Sequence, residues 1–272
     1  MSENRLERFL GDVGGGGKSL LAYIGGMGCL LTESLRHYAR SALRLPGTRR
    51  SSREAVWAQR VRVGVRSLPI VSLVLFFVGM ILAFQMAYVL RDFGAEQLVA
   101  ATVAVAMLRE LGPLITAIVM TGFAGASIAA EIGTMTVEEE ILALETSAMN
   151  PVRVLVMPRV MACIVMLLFL TVIANILGIL GGFTIGVTVL RMSPEAYYAN
   201  TRDFLKMQDL LTGLIKSVAF GGLIALIGCQ EGLKVEGGAE GVGRATTRAV
   251  VYGIVAIIAT DLFFSWIFYK VL

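Results

Sequence analysis

Histidine and cysteine, which many enzymes use for catalysis and metal binding, are scarce in this sequence. It has one histidine, His37, and three cysteines, Cys29, Cys163 and Cys229. The cysteines are far apart and have no CxxC or zinc-site spacing, which argues against a disulfide or a metal centre. No Ser/His grouping or paired carboxylates lie in the apolar segments, so hydrolysis and acyl transfer are also disfavoured. We expect no catalytic residues, no metal and no cofactor.

Charged residues are also few, and long apolar stretches take their place. Charged side chains are 16% of the chain and hydrophobic ones 56%, whereas soluble domains are roughly 25% charged. The mean hydropathy is +0.76. Several segments exceed the roughly 20 apolar residues that a helix needs to cross a bilayer. Open strands cannot satisfy their edge groups in lipid, so the composition predicts an all-α polytopic membrane protein.

Five apolar segments divide the chain after residue 67. The predicted spans cover about 68–90, 98–130, 160–189, 210–230 and 249–268. The second is longer than a bilayer requires and contains Gly112-Pro113, and a proline within a helix predicts a kink. Residues 68–272 are therefore predicted to form the five-span domain.

The region before the spans has two predicted parts, a flexible tail over 1–19 and an interfacial, amphipathic helical region over 20–67. Gly14 to Ser19 resemble the end of a phosphate-binding loop, but Asp12 occupies the position of the first required glycine and no strand precedes it. We expect no ATPase site in this chain and no cleavable signal peptide.

The basic side chains are concentrated before the first span. Residues 1–67 hold 12 of the 24 basic side chains and 5 of the 20 acidic ones. By the positive-inside rule this predicts a cytoplasmic N-terminus near anionic lipid. An odd number of spans then predicts an external C-terminus. We expect no nucleic-acid partner.

A few polar side chains fall within the predicted spans: Gln85, Arg109, Glu110, Lys216 and Asp261. Unpaired charges in a membrane cost several kcal/mol, so these groups should face protein or a wet cavity. Adjacent helical residues point about 100° apart, so Arg109 and Glu110 should each find a partner on another helix or on lipid phosphate. We expect Lys216 to snorkel to the outer interface. Asp261 is either functional or bonded to a neighbouring helix.

A short acidic segment separates the second and third spans. Thr136 is predicted to cap a helix with Glu138, Glu139 and Glu140 in its first turn, where carboxylates suit the helix dipole. Ile141, Leu142 and Leu144 supply an apolar side, and Asn150-Pro151 ends the helix. A helix of this kind, at about 134–150, is either an ordinary loop helix or one that inserts into a groove on an ATPase.

The order of several short motifs resembles the MlaE/YrbE family of ABC-transporter permeases over residues 50–272. The motifs are Ser67 to Val71, Gly79-Met80, Arg109-Glu110-Leu111-Gly112-Pro113, Ala130-Glu131-Ile132-Gly133, Glu139 to Leu144, Asn150-Pro151, Pro158-Arg159, Ile215-Lys216-Ser217 and Gly243 to Val251. Each motif is ordinary alone, whereas their order and spacing are specific. Residues 1–50 match poorly.

The resemblance implies a permease fold with an N-terminal interfacial helix and five spans, working as a homodimer in the inner membrane of a Gram-negative bacterium. It implies a separate cytoplasmic ATPase, a periplasmic MCE-domain protein, in many cases a STAS-domain protein, and phospholipid as cargo. The coupling helix of the family carries a Glu-Gln pair, and the matching residues here are Glu139 and Glu140.

We interpret the chain as a phospholipid-transport permease. Glu138, Glu139, Glu140, Ile141 and Leu144 are the candidates for coupling to the ATPase. Gln85, Tyr88, Arg109 and Glu110 are the candidates for contacts near a lipid headgroup, with tails against the first, second and fifth spans. The main alternative is an ion-coupled secondary carrier that uses Glu110, Lys216 and Asp261. A lipid-modifying enzyme is a third class.

Overall fold

The structure is a computed structural model that describes residues 18, 21–23, 25–34, 36 and 64–271. The described part consists of helices joined by short turns, and five of its helical stretches are long and apolar enough to cross a membrane. This confirms the predicted all-α polytopic fold. The helices are α1 (Leu68–Arg91), α2 (Glu96–Val137), α3 (Glu140–Thr146), α4 (Val152–Thr188), α5 (Pro194–Phe204), α6 (Met207–Leu233) and α7 (Gly238–Val271).

The spans are α1, α2, α4, α6 and α7, and two of them begin earlier than predicted. The third span is helical from Val152, and the fifth from Gly238. The charged residues there, for example Arg153 and Arg248, were predicted to lie in loops, but the helix continues through them beyond the apolar run. Helix α3 and the turn at 234–237 lie on one side of the bundle, here named the α3 side. Helix α5 lies on the opposite side, here named the α5 side.

The second span is irregular where the proline predicts a kink. Met107–Leu111 and Thr121–Gly125 are π-helical turns, and Gly112–Met120 between them is α-helical. Pro113 has no N–H to donate to the residue four positions earlier, and the wider turn just before it accommodates that lost bond. Arg109 and Glu110 both lie in this first π turn.

Small residues allow α1 and α4 to pack with their backbones in contact. A Cβ atom added at Gly79 would lie 1.9 Å from the carbonyl oxygen of Gly178. One added at Gly181 would lie 2.1 Å from the carbonyl oxygen of Phe76. These pairs place the two helices antiparallel, in a register that only glycine permits.

Two of the GxxxG pairs within the spans serve different contacts. Gly228 and Gly232 on α6 face α2, where added Cβ atoms would lie 3.0 Å from the Gly125 carbonyl oxygen and 2.7 Å from the Ile132 side chain. Gly182 and Gly186 on α4 instead form a notch. The ring of Tyr197 on α5 fills it, 2.5 Å from a Cβ added at Gly186. This contact holds α5 against the end of α4.

The segment between α2 and α4 differs from its prediction at its start. Thr136 lies within α2, and its hydroxyl donates to the carbonyl oxygens of Ile132 at 2.9 Å and Gly232 at 3.1 Å. The predicted cap at Thr136 is therefore wrong, because the apolar helix continues to Val137. Glu138 and Glu139 form the turn, with Glu139 at a φ of 59°. Helix α3 follows, and Ala148 just after it has a φ of 56°.

Before the first span, residues 21–23 and 25–34 are helical. The amide of Gln230 donates to the Tyr23 carbonyl oxygen at 3.2 Å, and the Tyr23 ring meets that of Tyr252 edge-on at 5.5 Å. This helix therefore packs on the α3 side, against α6 and α7. Most of the predicted tail (1–19) and residues 37–63 of the predicted interfacial region lie outside the described residues.

Candidate functional site

A cavity of about 610 Å³ opens between α2, α5, α6 and α7. Its wall is mainly apolar or aromatic, and its charged lining residues are Arg109, Glu110 and Lys216. The full lining is Leu98, Ala101, Thr102, Val105, Ala106, Arg109, Glu110, Phe204, Thr212, Lys216, Ser265, Phe268 and Tyr269. Leu98 and Phe204 place it toward the α5 side.

Lys216 is the centre of a cluster of polar side chains at the cavity. Its side chain is only 1% exposed, and its ammonium pairs with the Glu110 carboxylate and lies 2.9 Å from Asp261 Oδ1. It also donates to Ser265 Oγ at 2.8 Å. Lys216 comes nine residues after Met207, about 14 Å along α6 at 1.5 Å per residue. The predicted snorkelling to the outer interface is wrong, because two carboxylates on other helices attract this lysine inward.

Ser265 completes this group, which we call the Lys216 cluster: Glu110, Lys216, Asp261 and Ser265. The Ser265 hydroxyl donates to Glu110 Oε1 at 3.0 Å. Sequence reasoning missed Ser265, although it stands four residues after Asp261 and so shares its helix face. The structure brings together Glu110, Lys216 and Asp261, the three residues that the alternative carrier would use, and Asp261 pairs with Lys216 on the neighbouring helix α6.

Arg109 turns the other way from Glu110, as the helical geometry predicts. Its Nε lies 3.7 Å from Asp209 Oδ1 on α6. The other carboxylate oxygen of Asp209 accepts the backbone N–H of Lys206 at 3.0 Å, at the start of that helix. The expectation that Arg109 and Glu110 pair with separate partners is confirmed. The side chains of Arg109 and Glu110 remain 38% and 41% exposed, so both can reach the cavity.

The structure does not bring Gln85 and Tyr88 to this cavity. Both lie on α1 and are exposed, Tyr88 at 76%. Neither side chain is among the residues that line the cavity. The first span contributes none of the cavity lining, whereas the second and fifth do.

The predicted coupling residues lie on α3 and the turn before it. Glu138, Glu139 and Glu140 are exposed, whereas Ile141 and Leu144 are half-buried and Ile141 packs against the core. The side of α3 that carries Ile141 and Leu144 thus faces the bundle and the glutamates face away from it. The prediction that Leu142 shares the apolar side is wrong, because its side chain is 55% exposed. After α3, the amide of Asn150 donates to Glu33 Oε1 at 2.8 Å, which joins this segment to the N-terminal helix.

Two ion pairs on the α3 side, each with one buried partner, were not predicted. Arg159 on α4 pairs with Glu131 on α2 at 3.1 Å and donates to the Leu155 carbonyl oxygen at 2.8 Å. Arg248 on α7 pairs with the buried Glu231 on α6 at 2.8 Å. The sequence reading placed these residues in or at the edge of loops, so it gave no reason to pair them. Burial, together with Glu231, raises the pKa of the nearby Tyr23 hydroxyl well above its usual range.

Comparisons with known proteins agree on one family. The family described as permease MlaE matches residues 56–267. A probable ABC transporter permease of Rickettsia prowazekii is 40% identical over 213 residues, which cover 78% of this chain and 82% of that protein. The intermembrane phospholipid transport system permease protein MlaE of Haemophilus influenzae is 34% identical over 208 residues, covering 76% and 80% of the two chains. The chloroplastic protein TRIGALACTOSYLDIACYLGLYCEROL 1 of Arabidopsis thaliana is 34% identical over 212 residues, covering 78% and 61%.

Proposed function

We propose that this chain, which belongs to the MlaE permease family, carries phospholipids between the inner and outer membranes, driven by a separate cytoplasmic ATPase. The observation that carries the proposal is the cavity, whose apolar wall suits acyl chains and whose Arg109 and Glu110 side chains suit a polar headgroup. The Haemophilus relative, named for intermembrane phospholipid transport, supports the same cargo.

The ATPase would act on this chain through α3 and the turn before it. Glu138, Glu139 and Glu140 would meet the ATPase, and Ile141 and Leu144 would pass the displacement to the bundle. Helix α3 stands between the second and third spans, and α2 is bonded to α6 through Thr136 and Gly232. Nucleotide binding and hydrolysis would thereby move α2 and α4 and open or close the cavity at the axis of a homodimer.

The lipid would lie with its tails against apolar side chains of the first, second and fifth spans. Arg109 and Glu110 are the proposed headgroup contacts within the described cavity. Gln85 and Tyr88 are exposed on α1 and would reach a lipid from a second copy of the chain. The low buried share of α1 and α7, 22% and 11%, leaves wide apolar faces for such contacts.

The remaining assembly follows from the family. We propose an inner-membrane location in a Gram-negative bacterium, a periplasmic MCE-domain protein as partner, and a STAS-domain protein as a further subunit. The basic N-terminal region would lie in the cytoplasm and the C-terminus in the periplasm, which assigns the α3 side to the cytoplasm. This places α3 where an ATPase can reach it.

Affinity purification of the tagged full-length chain from its own membranes tests the proposal. We expect an ATPase and an MCE-domain protein to co-purify, with phospholipid bound, and reconstituted transport to require ATP. The proposal fails if topology mapping places residue 140 on the periplasmic side of the inner membrane. It also fails if transport proceeds without an ATPase.

The Lys216 cluster favours one other function, an ion-coupled secondary carrier. Intramembrane carboxylates beside a lysine can bind and release a proton or Na⁺. A carrier of this kind would transport in response to an ion gradient when the chain is reconstituted alone. A lipid-modifying enzyme would instead show activity in the purified chain without partners, although the relatives of this chain are transporter permeases.

A further inference from the structure

The ionic groups around the cavity do not balance in charge. Two cations, Arg109 and Lys216, face three carboxylates, those of Glu110, Asp209 and Asp261. Arg109 pairs with Asp209, whereas Lys216 is shared between Glu110 and Asp261. With all five of these groups ionised, the set has one surplus negative charge.

Glu110 is the carboxylate of this set that reaches the cavity. The Asp261 side chain is 14% exposed and does not line the cavity, and Lys216 is almost fully covered. Glu110 lines the cavity and is much more exposed than either. A ligand in the cavity would therefore contact the Glu110 carboxylate, whose partner Lys216 also pairs with Asp261.

Aromatic residues line the same cavity. Phe204 comes from α5, and Phe268 and Tyr269 come from α7. The face of an aromatic ring attracts a cation, and aromatic side chains beside a carboxylate are a recurring site for ammonium and quaternary ammonium groups. The guanidinium of Arg109, one residue from Glu110, suits a phosphate.

We propose that the cavity selects zwitterionic phospholipids, with the ammonium of an ethanolamine or choline headgroup at Glu110 and the phosphate at Arg109. This inference rests on the proposed function and narrows its cargo. A headgroup that carries only a phosphate would add a second negative charge beside Glu110, where low dielectric strengthens the repulsion. Discrimination therefore comes from repulsion of the wrong headgroup as well as attraction of the right one.

A lipid-retention experiment tests this selection. The full-length protein is reconstituted into nanodiscs of equimolar phosphatidylethanolamine, phosphatidylcholine and phosphatidylglycerol with identical acyl chains. It is then extracted in mild detergent, and the retained lipids are measured by mass spectrometry. We expect both zwitterionic lipids to be enriched about tenfold over phosphatidylglycerol, which corresponds to about 1.4 kcal/mol.

Single substitutions test which cavity residues determine the headgroup preference. Glu110→Gln should reduce the enrichment to about one while lipid is still retained, because Lys216 keeps Asp261 and Ser265 as partners. Glu110→Asp should keep part of the enrichment. Phe268→Leu keeps the wall apolar but removes a ring, and should lower retention of the choline lipid most. Glu96→Gln is the matched control, because this carboxylate pairs with Arg91 outside the cavity, and it should leave the ratio unchanged.

The outcomes separate this inference from the function on which it rests. If the wild-type protein retains lipid without preference, or prefers phosphatidylglycerol, headgroup selection is wrong while lipid transport stands. Equal retention of the three lipids would mean that a proton or a small cation balances the surplus charge. If no lipid is retained at all, the proposed function fails with it. The ratio of zwitterionic lipid to phosphatidylglycerol retained by the wild-type protein tests headgroup selection even if a variant does not fold.

Discussion

The ammonium of Lys216 lies 2.9 Å from the Asp261 carboxylate, which joins α6 to α7 within the span region. Glu110 on α2 binds the same ammonium, so one lysine connects three membrane helices. Charged groups held in this way are costly to bury one at a time and stable only as a set. The cluster is therefore both part of the cavity wall and a bond between the helices that form it.

Replacing Lys216 with methionine should destabilise the bundle. Glu110 and Asp261 would then face each other without a cation, and we expect a loss of about 2–3 kcal/mol, below the range for fully buried pairs because Glu110 is partly exposed. The measurement is thermal unfolding of the purified protein in detergent. Arg202→Met, at an exposed position on α5, is the control and should change little. Adding Asp261→Asn to Lys216→Met should recover part of the loss, and an unchanged midpoint in the single variant would contradict the role of the cluster.

The close contact of α1 and α4 at Gly79 predicts that alanine is destabilising there but tolerated at Gly122, which has open space around it. Gly79→Ala places a Cβ atom against the Gly178 backbone, so the helices must separate, and we expect a loss of about 1–3 kcal/mol. Gly122→Ala adds a Cβ atom with nothing within 4 Å, and alanine favours helix, so stability should hold or rise slightly. Thermal unfolding of both variants side by side gives the comparison. Equal stability of the two proteins would refute the close packing.

Reversing the charge at Glu139 should uncouple transport from ATP hydrolysis. Glu139→Lys places a cation in the exposed acidic turn that we propose as the ATPase contact, and we expect the dimer to remain intact. Transport and ATPase activity are measured in the reconstituted complex, with assembly followed by size-exclusion chromatography. Glu139→Gln removes the charge without reversing it and should show a smaller defect. Glu195→Lys, at an exposed position on α5 on the opposite side of the bundle, is the control, and normal transport by Glu139→Lys would exclude the coupling role.

The buried Tyr197 hydroxyl predicts a sensitivity to alkaline pH. Burial raises the pKa of Tyr197 to about 12, against the usual 10. The folded protein therefore holds this proton more tightly than the unfolded chain, so stability is full below pH 10 and falls as the pH rises toward 12. Tyr197→Phe should remove this part of the pH dependence, since the hydroxyl has no hydrogen-bond partner among the described residues. The test is to measure the unfolding midpoint of both proteins from pH 8 to 11. If the midpoint falls equally steeply with pH in both, Tyr197 does not contribute to the pH dependence of stability.

Tyr197→Ala separates the ring from the hydroxyl. The ring fills the notch at Gly182 and Gly186 and meets Phe183 edge-on at 5.3 Å, so its removal should cost about 3 kcal/mol or more. The loss should release α5, and limited proteolysis at residues 190–206 would detect it. A protease-resistant α5 in this variant would mean that other contacts hold the helix.

Hydropathy predicted the five spans because a membrane helix must be apolar over a fixed length. It could not locate the helix ends on the α3 side, where α4 and α7 continue through charged residues beyond the apolar run. It also extended the acidic segment back to Thr136, because a threonine before glutamates is the pattern of a cap. In the structure Thr136 lies within α2, and its hydroxyl donates a hydrogen bond to the carbonyl oxygen of Gly232.

The sequence could predict which residue types form the candidate site, but not how they are arranged in it. Intramembrane charges need partners, and this indicated Glu110, Lys216 and Asp261 without showing that they meet. Which face of α6 turns inward depends on its neighbours, so the sequence could not decide between a buried and a snorkelling Lys216. The pairing of Arg159 with Glu131, and of Arg248 with Glu231, joins residues on different helices in the same way.

The two left-handed residues that flank α3, Glu139 and Ala148, are not glycines. A residue with a side chain has a narrow energy well at positive φ, so these two corners bend less easily than glycine corners would. If an ATPase acts on α3 as proposed, a short helix between stiff corners would transmit the displacement to α2 and α4 instead of absorbing it at its ends.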